Sequence, residues 1–150
     1  MKCFNVQTGE LVNAFEGHTE HVLDVAWSAD GLSLASASAD KTVKIWDAIE
    51  GAQKRTITSF EKQVTGLKYI GVSDNLATCS GDKVVRLFQA SNGRNYRNMT
   101  GAEKFVNAFD VTDSESLVIA GDHSGTVRLW NGQNGQLLQT YVPKTETAPQ

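Results

Sequence analysis

Trp46, Phe88 and Trp130 stand 42 residues apart, and Phe4 lies the same distance ahead of Trp46. Gly9, Gly51, Gly93 and Gly135 keep that spacing, as do Val22, Val64 and Val106. Three independent columns in one register mean that a single supersecondary unit is made several times over. The phrase around the aromatic column recurs with it: VKIWDAIEG at 43–51, VRLFQASNG at 85–93, VRLWNGQNG at 127–135 and MKCFNVQTG at 1–9.

Within one period the pattern is β throughout. VLDVAW (22–27) alternates apolar and polar residues, and SADG supplies a turn. LSLASAS reads as a second strand rich in small residues, TVKIWD as a third and AQKRTI as a weaker fourth. Helical spacing is not sustained anywhere. Four short strands joined by short turns give an antiparallel meander that cannot bury both faces alone, so the units must stack. Radial stacking of four-stranded units is the β-propeller solution.

The segment GHTEHVLDVAWSADGLSLASASADKTVKIWD (17–47), with its Gly-His start and Trp-Asp finish, resembles a complete WD repeat. The resemblance extends over essentially the whole chain through the period. It implies an all-β fold of four-stranded WD-repeat propeller blades: a half-blade at 1–16, blades at 17–58, 59–100 and 101–142, and a flexible tail at 143–150. It also implies a hydrogen-bonded chain of His18, Ser36, Asp40 and Trp46 that braces the first blade. The second repeat puts Phe60 in the His slot and Phe88 in the Trp slot, keeping Thr78 and Asp82. The third has Ala102, Ala120 and Ser124 in the first three slots and keeps only Trp130. Those two blades are expected to rely on apolar packing of Leu67, Leu87, Phe109, Val127 and Leu129, which makes the first blade the most rigid.

Composition narrows the function. The net charge is −3 and the pI about 5.6, so nothing electrostatic points to nucleic acid or an anionic membrane surface. Lys41, Lys44, Arg86 and Arg128 are scattered singly, as on an exposed strand face. No run approaches membrane-helix length and no signal segment follows Met1, so the chain is expected in the cytoplasm. Cys3 and Cys79 have no metal or disulfide spacing and read as small buried hydrophobes.

Ser36, His18 and Asp40 could suggest a hydrolase triad, but the repeat accounts for all three and no G-x-S-x-G elbow exists. His18 and His21 lack a third metal ligand nearby, and GDHSG (121–125) leads into no helix that would cradle phosphate. No catalytic, metal or cofactor site is therefore expected. Surface recognition remains. The turns before the first strand and between the second and third converge on one face of a propeller. There the columns His21, Gln63 and Phe105, their neighbours Glu20, Lys62 and Lys104, and Ala39, Gly81 and His123 vary while the sheet columns hold. Phe105, beside an inward valine, is expected to face outward or to pack on a neighbouring blade or turn.

The function expected is a non-enzymatic scaffold for protein or peptide partners, without cofactor. Three and a half blades are fewer than a closed ring holds. The chain is thus expected to be the C-terminal part of a larger propeller. The alternatives are a docking propeller of a multidomain enzyme, or an element that closes a ring by self-association.

Overall fold

The computed structural model describes residues 1–144, and the end of the expected tail lies outside them. Strands β1 (Lys2–Phe4) and β2 (Leu11–Ala14) form a two-stranded antiparallel ribbon. Blade 1 is β3 (Val22–Trp27), β4 (Ser33–Ser38), β5 (Val43–Asp47) and β6 (Gln53–Ile57). Blade 2 is β7 (Val64–Tyr69), β8 (Asn75–Ser80), β9 (Val85–Gln89) and β10 (Arg94–Met99). Blade 3 is β11 (Val106–Val111), β12 (Leu117–Asp122), β13 (Val127–Asn131) and β14 (Leu137–Tyr141). Each blade is an antiparallel meander in chain order, and the described residues contain no helix.

The recurring phrase has a local cause. Asn5, Asp47 and Asn131 each accept two backbone N–H groups on one side-chain oxygen and so wind the turn after the aromatic strand. Gly9, Gly51, Gly93 and Gly135 close that turn at φ values of 73°, 72°, 73° and 77°, where a Cβ is strained. The valine column has its own device. The first strand pair of every blade shifts register just after it, between Val22 and Asp24, Val64 and Gly66, and Val106 and Ala108. Such a bulge increases local twist and re-aims the residues beyond it.

Blades stack through their first strands: β7 packs on β3 and β4, and β11 on β7 and β8. Small residues in the second strands let the sheets approach. Ala35 and Ala37 meet Leu67 and Tyr69 in one core cluster, and Ala77 and Cys79 meet Val106 and Val111 in the next. Polar bonds cross the same interfaces. Leu67 N–H donates to Asp24 Oδ2 at 2.9 Å, and Thr65 Oγ1 donates to the Val106 carbonyl at 2.9 Å.

The stack does not close into a ring, and its two ends differ from its middle at matching positions. In the column of Val25 and Leu67 the relative exposures are 50% and 5%; in that of Trp27 and Tyr69 they are 48% and 7%. At the other end Ile119 is 40% exposed where Ala35 and Ala77 are fully buried. The ribbon covers only the outer part of blade 1, where Met1 and Cys3 pack against Phe15, Leu34 and Trp46.

Candidate interaction face

In blade 1 the turn residues at 18 and 40 face the third strand across a short gap. Trp46 Nε1 donates to Ser36 Oγ at 2.9 Å, Ser36 Oγ lies 2.7 Å from His18 Nε2, and His18 Nδ1 lies 2.7 Å from Asp40 Oδ2. A carboxylate only accepts, so in the neutral ring Nδ1 carries the proton and Nε2 accepts the serine hydroxyl. Asp40 also accepts from Thr19 N–H and from the Thr42 backbone and hydroxyl. Burial alone would raise the Asp40 carboxyl, but hydrogen bonds from Thr42, His18 and Thr19 outweigh it and hold it down to about 2. Every polar atom of a would-be triad is therefore engaged with its own blade. Among the described residues no group of three or more His, Cys, Asp or Glu is placed to hold a metal ion.

Blades 2 and 3 do not depend on apolar packing alone, and this corrects the sequence expectation. Arg86 and Arg128 are not on an exposed strand face. Arg86 Nη1 donates to Asp82 Oδ1 at 2.9 Å, with its guanidinium carbon 5.2 Å from the centre of the Phe60 ring. Phe60 thus occupies the His slot and supports the cation that replaces histidine. Arg128 Nη1 donates to Asp122 Oδ2 at 2.7 Å in a nearly buried pair. Asp122 lies two residues before Ser124, which holds the expected slot, and Ser124 N–H donates to Asp122 Oδ1. Burial works against the charge of Asp122, yet bonds from Ser124 and Arg128 bring its carboxyl down to about 2. The remaining expected members have other partners: Thr78 Oγ1 donates to the Arg86 carbonyl at 3.4 Å, and Trp130 Nε1 to the Thr100 carbonyl at 2.9 Å.

The signal for these pairs lies in two columns read together. Where the His slot holds histidine, the third strand carries Lys44; where it holds Phe60 or Ala102, the third strand carries Arg86 or Arg128. Among the described residues Lys44 pairs with no carboxylate, and it donates to Gln53 Oε1 and Thr56 Oγ1. Arginine's longer, forked head spans the gap that histidine bridges in blade 1.

The candidate interaction residues sit on the turns that these polar groups anchor. Ala39 N–H donates to the His21 carbonyl at 2.9 Å, Gly81 N–H to Gln63 at 3.0 Å and His123 N–H to Phe105 at 2.9 Å. Glu20, His21, Lys62, Lys104 and His123 are exposed, and Gln63 and Phe105 are half-buried. Phe105 does not stand free. Its ring stacks on His123 with centroids 4.9 Å apart and planes at 23°, and it lies so close over Gly81 that a Cβ there would overlap it. The stack joins the turns of blades 2 and 3 into one surface.

Repeated four-stranded blades stacked through their first strands define a protein of the β-propeller class. The sequence matches the WD40 family (WD domain, G-beta repeat) at residues 9–47, 51–89 and 93–131, and the chain belongs to that family. WD40 repeats are, in general, protein-interaction scaffolds. The chain is 36% identical over 73 residues, 47% of its length, to nuclear distribution protein nudF 1 of Talaromyces marneffei, covering 16% of that protein. It is 44% identical over 54 residues, 35% of its length, to the periodic tryptophan protein 1 homolog of Drosophila melanogaster, covering 12% of it. Its fold is similar to the crystal structure of the computationally designed Ika8 protein, with a TM-score of 0.82, 24% identity and coverage of 93% of this chain and 42% of that one. The chain thus spans well under two thirds of the relatives it matches.

Proposed function

We propose that this chain is a non-enzymatic scaffold that binds protein or peptide partners through the turns carrying Glu20, His21, Lys62, Gln63, Lys104, Phe105 and His123. One observation carries the reading: the backbone bond from the second turn to the first repeats in all three blades, while the side chains mounted on it differ each time. A constant frame with variable fittings is what recognition on a repeat scaffold needs. The polar groups that could do chemistry are engaged within their own blades, which supports binding over catalysis.

The test is quantitative affinity purification of tagged chains. Phe105→Ala and Lys104→Glu should each lose a shared set of partners at least tenfold. Ile49→Ser and Val72→Ser, on the opposite turns, should keep it. If folded Phe105 and Lys104 variants retain every partner, the reading fails.

A second reading concerns the ends. The exposure of Val25, Trp27 and Ile119, at columns buried elsewhere, supports an arc that works inside a completed ring. The covering blades come from further repeats or from a second copy of this chain.

A further inference from the structure

On the turns opposite the candidate face, a cleft of about 280 Å³ opens between blades 1 and 2. Ser33, Lys54 and Arg55 of blade 1 and Tyr69, Asp74 and Ser91 of blade 2 line it. The matching place between blades 2 and 3 is filled. There Glu115, on the turn between β11 and β12, reaches back to blade 2, accepting from Asn75 Nδ2 on one oxygen and from the Tyr96 hydroxyl at 3.0 Å on the other. One period earlier these three columns hold Ser73, Ser33 and Lys54. Ser73 cannot reach across: its hydroxyl donates to the Ile70 carbonyl of its own turn at 2.6 Å. Ser33 and Lys54, which match the donors of the Glu115 site, therefore receive no bond from the residue in the Glu115 column, and the carboxylate that blade 2 brings to the cleft is Asp74, one residue further on.

A third group points to an occupant. Tyr69 stands where blade 3 has Val111, is 7% exposed, and its buried hydroxyl has no hydrogen-bond partner among the described residues. An orphaned buried hydroxyl is costly unless something binds it. Burial, with Asp74 and Asp30 nearby, pushes this phenol up to about 12, so it remains a neutral donor. Lys54 is held at the rim by Asp47 at 3.0 Å and donates to Ser33 Oγ at 3.3 Å. Asp74 spends one oxygen on Ser91 N–H. The lining carries Lys54 and Arg55 beside Asp74, with Asp47 paired to Lys54 at the rim, and Arg55 donates to the Ser91 carbonyl at 2.7 Å.

We propose that this cleft receives the carboxylate of an acidic side chain from a protein partner, in the position that Glu115 fills at the next blade interface. It is a second docking point, independent of the turns around Phe105. An NMR titration of the full chain with the capped peptide Gly-Glu-Gly, against capped Gly-Gln-Gly and sodium acetate, tests it. The Glu peptide should shift the Ser33, Lys54 and Tyr69 amides and bind about tenfold tighter than either comparator. Lys54→Met should weaken it about tenfold. Ser73→Glu, which supplies the carboxylate internally, should block the peptide and raise the Tm. Equal response to Glu and Gln peptides, acetate binding as tightly as the Glu peptide, no shift at those amides in a folded chain (water alone in the cleft), or a lower Tm for Ser73→Glu would each overturn it.

Discussion

The guanidinium of Arg86 lies 5.2 Å above the ring of Phe60, the residue that replaces histidine in the second repeat. From there it reaches Asp82, the counterpart of the Asp40 that His18 bonds in blade 1. The repeat keeps a feature, a hydrogen-bonded aspartate at the turn, through different side chains. Blade 3 arrives at the same outcome with Arg128 and Asp122.

This substitution of partners sets the energetics. Arg128→Met leaves Asp122 charged and nearly buried without its cation, and should cost about 3 kcal/mol of unfolding free energy. Lys44→Met removes only contacts to Gln53 and Thr56 and should cost less than about 1 kcal/mol. Urea unfolding of both variants beside the parent chain checks the order; equally small losses would mean that Asp122 does not depend on Arg128.

Acid should weaken the fold in a defined window. Asp40 and Asp122 sit at about 2 in the folded chain against an ordinary 3.8. A depressed folded value contributes stability that is fully present above the ordinary value and is lost as pH falls through the folded one. Urea midpoints should therefore hold down to about pH 4 and fall between about pH 4 and 2. Asp40→Asn and Asp122→Asn should each lower stability at neutral pH and flatten that slope.

Much of this fold was legible because the columns are set by backbone needs. A left-handed turn demands Gly51 and its counterparts, and stacking demands small residues such as Ala35 and Ala77. The histidine chain in blade 1 was legible because its four members keep their identities. Arg86 and Arg128 were not: a lone arginine on an alternating strand looks solvent-facing, and only its pairing with a missing histidine one strand away tells otherwise. Asp122 escaped because it acts two residues out of register. Tyr69 escaped because alternation marks it as core without revealing that its hydroxyl has no partner among the described residues.

Gly81→Ala probes the Phe105 stack without touching either stacked residue. The new Cβ overlaps the ring, so Phe105 must leave it. The expected result is a loss of ring-current shifts at His123, with a stability cost of about 1–2 kcal/mol. Unchanged His123 ring resonances would show that the stack does not rest on this close approach.

The two thiols should react at very different rates. Cys79 is buried, and burial first of all pushes its thiol up to about 11, whereas Cys3 is half-exposed at the ribbon. Iodoacetamide should label Cys3 of the native chain promptly and Cys79 only on unfolding. Equal native labelling would mean that the interface between blades 2 and 3 opens readily.

If the two end faces of the WD40 arc are covered in its working form, the residues exposed there become protected on assembly. Hydroxyl-radical footprinting of the dilute chain against its assembled form, whether concentrated or bound to its cellular partners, measures this directly. Trp27 and Ile119 should lose reactivity on assembly while Trp46 and Trp130, already buried, stay unreactive in both. Trp27 and Ile119 remaining fully reactive in every assembled form would mean that the end faces stay open.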